Sequence, residues 1–461
     1  MKIKKLFLGA IFVILFPFLA FAKENSTTTP LIPEIPKTML KVPATPLIIS
    51  KIKEAKQKLS ETKLNFDIKQ ISKTTTNKKS KKKKTSISYI LKSKDIALAV
   101  FNPQTENIDI VLGIQTGKTY TFNYPDFDIK LKKFNGVNSL FEIKKPDNGY
   151  VLALKYLISP TEPAISKNAI QSALYEAVYV PFSNSLNTEE VANYGENYLS
   201  GIISEAAKQI SNLPSASGDG KKVTEVITPS LIKALIYAEH MNAGDILNSS
   251  DPKAVINRLN TLFAINEGDT YRYSVSSAGA RGLAQFMPKT YKGLAQRHWE
   301  ANLTQDFIEG MSDHTNAVKA MYLLLDDYGA AVKTRAKDAA VSGQLFDYGA
   351  ASYNGGVARV AGAVKLFGQQ WNLPAEENIS KFSADVSALA THIKELSAKI
   401  TKAKDLAQKK EIQASLVREK EKHDLAKENL KNSKKAGLRT ETVVYLQKIY
   451  KVISVLNNDE G

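Results

Sequence analysis

No cysteine occurs in the chain, which excludes disulfides, thiolate zinc sites, iron–sulfur clusters and cysteine nucleophiles. Histidine is nearly as scarce. The five present are mostly far apart and leave little for a histidine-rich metal centre. Acidic charge is the third shortage, with 46 Asp and Glu against 63 Lys and Arg and a net charge of +17. The excess is local. Lys23–Lys84 holds sixteen lysines against five acidic residues, so it carries +11, and Lys2, Lys4 and Lys5 carry +3 more. Everything after Lys84 is left with about +3. A nucleic-acid-binding fold is therefore poorly supported, because its charge should lie on a folded surface. The hydrophobic fraction of 43% and the charged fraction of 24% exclude both a wholly disordered chain and a polytopic membrane protein. The 461 residues are enough for roughly three domains.

What is there begins with a targeting pattern. The basic Lys2, Lys4 and Lys5 precede an apolar run from Leu6 to Ala22, where Ala20 and Ala22 supply the small residues of a cleavage site. Residues 1–22 thus read as a signal peptide, and the protein is expected to be exported, to the periplasm or the extracellular side. An uncleaved anchor is the alternative. Residues 23–84, with Pro30, Pro33, Pro36, Pro43 and Pro46 followed by the lysines, read as a disordered, semi-rigid linker.

Residues 85–181 alternate short β-branched and aromatic runs, such as Ile96–Phe101, Ile108–Ile114 and Tyr150–Leu157, with turn-formers. A small β-rich accessory domain, sandwich or barrel, is expected. Residues 182–227 read as a helical connector, with Thr188-Glu189-Glu190 opening a helix toward Ile210.

Three later segments carry chemistry. Thr228-Pro229-Ser230 starts a helix whose almost wholly apolar run, Leu231 to Ala238, ends in Glu239-His240. A carboxylate at the end of such a helix is costly unless paired or protonated, although a helix-end Glu that simply reaches solvent is the commoner case. The second segment, Ser276 to Thr290, combines Gly279 and Gly282 with Gln285, permitting close backbone approach beside a group that both donates and accepts. That suits an amide-bearing sugar; a tight helix–loop packing site is the plainer reading. The third is Ala350-Ala351-Ser352-Tyr353-Asn354-Gly355-Gly356, an aromatic and an amide on a helix that ends in glycine.

In this order the segments resemble the goose-lysozyme-like, soluble type of lytic transglycosylase. That family shows a catalytic Glu closing an apolar helix and a Ser-x-x-Gly-Ala-x-Gly-Leu-Met-Gln-x-Met-Pro block. Ala-Tyr-Asn and a Glu-Thr-x-x-Tyr helix follow. Here Ala284 replaces the first Met of the block, Ser352 precedes Tyr353-Asn354, and Glu441-Thr442-Val443-Val444-Tyr445 supplies the last element. The resemblance covers about a third of the chain. It implies a mainly α, lysozyme-like domain over 228–461, α+β with the β-rich part, and a lyase that cleaves the MurNAc–GlcNAc β-1,4 bond of peptidoglycan to a 1,6-anhydromuramyl product. It also implies Glu239 as the catalytic residue, with Ser276, Gln285, Met287, Tyr353, Asn354 and Glu441 lining the groove, and neither metal nor organic cofactor. A hydrolytic muramidase, or a silent glycan-binding envelope adaptor, is the alternative.

One spacing departs from the family, whose catalytic Glu precedes the motif serine by about nine residues. Glu267 has that spacing to Ser276, whereas Glu239 lies much farther upstream. Glu239 closes the longer apolar helix and Glu267 begins a turn-like Glu-Gly-Asp, so Glu239 is preferred and Glu267 kept as the alternative. Met241–Tyr273 would then be an insertion with its own helix, Ala254–Ile265.

A second insertion, at about 383–433, spaces Val386, Leu389, Ile393, Leu396 and Ile400 by three and four, a coiled-coil seam. A weaker run follows, and an antiparallel helical hairpin is expected. It would serve as a stabilising arm or as a docking arm for an envelope protein. The partners expected are peptidoglycan glycan strands and, through the lysine-rich tail, anionic envelope polymers.

Overall fold

The computed structural model describes residues 45–76, 83–158, 164 and 166–459. The expected signal peptide, residues 1–22, and residues 23–44 of the expected linker lie outside the described residues. For the described residues 45–76 the expected disorder is corrected. Thr45–Glu61 is a helix (α1) and Phe66–Thr76 a strand (β1). On α1, Ile48, Ile52, Ala55 and Leu59 form one apolar stripe, fully or almost fully buried. Its lysines lie along the flanks, where Lys51 and Lys58 pair with Glu54 and also donate to the carbonyls of Glu106 and Ile108. Lysine-rich composition concealed an amphipathic helix because lysine stems cover apolar surface while their charges reach outward.

The remaining strands are β2 (Lys83–Asn102), β3 (Asn107–Thr116), β4 (Thr119–Phe122), β5 (Asp128–Lys133), β6 (Leu140–Lys145) and β7 (Tyr150–Ile158). A short helix, α2 (Lys167–Ala173), leads into β8 (Tyr175–Tyr179). The main sheet is antiparallel in the order β4-β3-β2-β7-β8, with β1 also on β2, while β5 and β6 form a separate ribbon. The expected sandwich or barrel is thus an open sheet capped by a two-stranded ribbon.

Alternation decides its two faces. On β2, Ile96, Leu98 and Val100 join a core with Phe141 and Ile143 of the ribbon, while Ala97, Ala99 and Phe101 face the core shared with α1. On β7 the alternation breaks: Val151 and Leu154 lie in the ribbon-side core, whereas Leu152 and Ala153 both lie in the other. The cause is a bulge, since Ala99 pairs with Ala153 but Val100 pairs with Val151.

The helices follow as α3 (Glu189–Ile210), α4 (Val223–Val226), α5 (Pro229–His240), α6 (Ala243–Leu247) and α7 (Pro252–Asn266). After a loop come α8 (Pro288–Arg297), α9 (Phe307–Ser312), α10 (His314–Ala336), α11 (Leu345–Gly355) and α12 (Val357–Phe367). The chain ends with α13 (Ala375–Lys402), α14 (Leu406–Ala436) and α15 (Thr440–Asp459). The architecture is mixed α+β, mostly helical. Among the described residues no helix is long and apolar enough to cross a membrane.

Helix α3 is a core element rather than a connector. A Cβ on Gly195 would stand 1.8 Å from Asn260 O of α7, so the two helices approach at a distance only glycine permits. Nor is the sheet a separate accessory body. One continuous core includes the α1 face of the sheet and helices α3, α5, α7 and α10. The buried Asn266 also locks the two parts together, accepting from Val180 N at 2.8 Å and donating to Val180 O at 2.9 Å. Helices α13 and α14 pack side by side as the expected hairpin, and Phe382 at its base lies 5.5 Å from Phe367 of α12.

Candidate active site

Helix α5 carries the first component. Pro229 occupies its first turn and Ala234 to Ala238 are fully buried. Lys233 pairs with Glu196 at 2.6 Å, and Tyr237 donates to Asn260 Oδ1 at 2.6 Å. The C-terminal turn would leave unpaired carbonyls, and α15 supplies the donor. Lys448 Nζ donates to Ala238 O at 2.5 Å and to Met241 O at 3.0 Å.

Glu239 sits in that same turn. Its Oε1 accepts a hydrogen bond from the Tyr445 hydroxyl, three residues before Lys448 on one face of α15. The residue keeps partial access to solvent, yet its carboxyl is closely surrounded by protein. Burial therefore pushes the Glu239 carboxyl up from the ordinary range, and the Tyr445 hydrogen bond and the Lys448 charge only partly oppose it. No other carboxylate acts on it among the described residues. Tyr445 is itself held well above the usual phenol range, mainly by burial and then by the Glu239 charge, so it remains a donor.

His240 extends the site in the other direction. Its Nε2 donates to Leu283 O at 2.7 Å, and its ring stacks on Tyr271 with centroids 3.6 Å apart. Burial lowers the imidazole to about 4, so it is neutral at physiological pH.

The loop from Ser276 to Met287 lies beside this helix end, reached by His240 through Leu283 O. Ser276 closes it, since its N donates to Ala280 O at 2.8 Å and its Oγ accepts from Ala280 N at 2.9 Å. Gly282, at φ +73°, passes so close to α9 that a Cβ would stand 2.4 Å from Met311 O. Gln285, at φ +49°, donates to Gly282 O at 2.7 Å. Ala284 is fully buried, and its carbonyl accepts from the Tyr353 hydroxyl. Met287 is exposed and precedes Pro288 at the start of α8.

On α11, Tyr353 stands edge-on to Phe286 at 5.7 Å, and its phenol is pushed well up by burial and by the Glu239 charge. Asn354 is exposed and accepts from Thr442 Oγ1 at 2.8 Å. That bond, with the close approach of Gly355 to Thr442, fastens α11 to α15. Glu239, Tyr353 and the loop ending at Met287 are thus brought together around α5, α11 and α15. Glu441 is exposed in the first turn of α15, and one turn later Tyr445 makes the contact with Glu239.

Glu267 belongs elsewhere. It caps the end of α7 at φ +46° and accepts from the Tyr194 hydroxyl at 2.8 Å. It borders a polar cavity of about 380 Å³ with Lys56, Asp269, Arg272 and Asp313. None of the Ser276–Met287 or α11 residues lines that cavity.

Tyr445 stands in the Glu441 motif without a role legible there, and Lys448 and Tyr271 belong to no motif in the sequence. The available signal was helical spacing, because Lys448 follows Tyr445 by three residues. For Tyr271 there was none. Among the described residues there is no cluster of His, Asp and Glu able to hold a metal ion. Comparison of the chain with family models, curated proteins and solved structures yields no match to any of them.

Proposed function

We propose that the protein is a peptidoglycan lytic transglycosylase with a lysozyme-like catalytic part built from α5 to α12 and α15, and that Glu239 is its acid and base. The observation that carries this reading is the lone, burial-raised carboxyl of Glu239, hydrogen-bonded to Tyr445 and set beside Tyr353 and the Ser276–Met287 loop.

Ordinary retaining and inverting glycosidases need two carboxylates across the scissile bond. One carboxyl suffices when the substrate supplies the nucleophile. Protonated Glu239 gives its proton to the glycosidic oxygen between N-acetylmuramic acid and N-acetylglucosamine. The substrate's acetamido group stabilises the positive centre. The Glu239 carboxylate then takes the proton of the muramyl 6-hydroxyl, which attacks and closes the 1,6-anhydro ring. Tyr445 donates a hydrogen bond to the carboxyl in both states and so suits it to alternate between them. Tyr353 and the backbone of the Ser276–Gln285 loop form the sugar-facing wall, and no metal takes part in the scheme.

With this activity the chain would be exported and work at the cell wall. Its lysine-rich N-terminal part would approach anionic envelope polymers, and the α13–α14 hairpin would offer a surface to another envelope protein. Mass spectrometry of sacculi digested by the whole protein tests the central reaction. Anhydromuramyl fragments that vanish with Glu239→Gln are expected. Fragments heavier by one water would mean hydrolysis, and no release by the unaltered protein would leave a glycan-binding adaptor.

A further inference from the structure

The sheet and the helices meet around a cavity of about 430 Å³, well within the size of small-ligand sites. Its walls carry four tyrosines, Tyr156, Tyr179, Tyr271 and Tyr273, and the amides of Asn135 and Asn138. Rings that offer flat apolar faces, interleaved with amides and phenols, suit a pyranose, whose C–H face stacks while its hydroxyls hydrogen-bond.

Tyr271 ties this cavity to Glu239. It is held at φ +60°, a backbone conformation that a bulky residue rarely adopts. Its ring lies flat on His240, the neighbour of Glu239. Its hydroxyl is buried without a hydrogen-bond partner among the described residues. It also lines a second cavity, of about 410 Å³, together with Asn135 and Asn138. A second tie runs through Ser274, which lines the first cavity and whose Oγ accepts from Gln285 Nε2 at 3.4 Å. Strained backbone, an orphan phenol and a stacked histidine thus converge on one residue between the carboxyl and the tyrosine-lined space.

We infer that this cavity is a saccharide subsite, in which the sheet and the β5–β6 loop hold an N-acetylhexosamine unit of a glycan strand away from the bond at Glu239. The inference rests on the glycan reading of the Glu239 site and gives the β-sheet part a role in choosing long strands over short fragments. Asn135 and Asn138 supply the amide contacts. Asn138 is already oriented, its Oδ1 accepting from Phe182 N at 3.0 Å. Tyr273, braced by Tyr175 and Tyr179, provides a stacking face.

The test is calorimetric titration of the whole protein carrying Glu239→Gln, which prevents turnover, with a β-1,4-linked N-acetylglucosamine hexamer. In that background Tyr273→Ala should weaken hexamer binding about tenfold, and Asn135→Leu by a smaller factor of about threefold. Asn135 is exposed, so its replacement leaves the fold intact even if loss of Tyr273 disturbs local packing. Hexamer affinity unchanged in both variants would overturn the subsite while leaving the glycan reading standing. Absence of hexamer binding by the parent protein would overturn both.

Discussion

Two helices of this protein end in a glutamate that accepts a hydrogen bond from a tyrosine, and the two ends have opposite characters. At the end of α5, Glu239 meets Tyr445, which is 5% exposed, beneath a lysine that caps the helix carbonyls. At the end of α7, Glu267 meets Tyr194, which is 38% exposed, at the rim of a polar cavity. The same pair of residue types lies in an enclosed setting at one helix end and at an open rim at the other. What differs is the low-dielectric surrounding, which raises the cost of ionising Glu239.

The sharpest way to break this comparison is to neutralise each glutamate in turn. Glu239→Gln should reduce release of muropeptides from sacculi by at least about 10²- to 10⁴-fold, the range for loss of one general acid–base group. Glu267→Gln should stay within about twofold of the unaltered protein. The opposite pattern would transfer the proposed acid role to Glu267, whose distance in sequence from Ser276 matches the spacing in the family that these segments resemble.

Next in size is the tyrosine contact. Tyr445→Phe removes a hydrogen bond that favours the ionised carboxylate, so the Glu239 carboxyl should move further upward. Turnover should fall about tenfold, because the carboxylate left by proton donation loses its stabilising partner and the acid step weakens. The alkaline limb of the rate–pH profile, set by loss of the acid form, should shift to higher pH. A limb that stays in place would separate Glu239 from the rate-controlling ionisation.

A smaller effect concerns stability. Glu239 has a folded-state pKa raised above its ordinary value of 4.5. Above 4.5 the folded protein therefore keeps a proton that the unfolded chain releases, and stability falls as pH rises toward the folded value. Glu239→Gln removes that cost. Its Tm should exceed that of the unaltered protein by about 1–3 °C at pH 8, and the gain should shrink toward zero near pH 4. A gain of equal size at both pH values would show that the carboxyl is not held protonated by the fold.

The smallest effect is expected from Tyr194→Phe. At an exposed site the loss should be under about 0.5 kcal/mol in chemical denaturation, with turnover unchanged. A loss comparable to that of Tyr445→Phe would erase the distinction between the two helix ends.

Much of the local structure is legible in the sequence. The Thr188 cap, Pro229 at the first turn of α5, the glycines of the 276–287 loop and the three-and-four spacing of the hairpin are each short-range signals. Each acts within a few residues, through capping, fixed φ or a repeated apolar face. Helix α1 is hidden in the sequence because its apolar stripe lies among lysines whose charge dominates composition. The bulge in β7 is invisible in the sequence because one extra residue on one strand shows only against its partner.

By itself the sequence determined that an apolar helix would end in Glu239, that a glycine-rich loop would follow, and that a helical hairpin would precede the last helix. Tertiary structure alone decided that α15 returns to α5, that Tyr445 rather than Glu441 meets the carboxyl, and that Tyr271 stacks on His240. The physical reason is range. Helix starts, turns and apolar stripes are fixed by neighbours along the chain, whereas the burial that raises a carboxyl pKa is the work of segments more than two hundred residues apart.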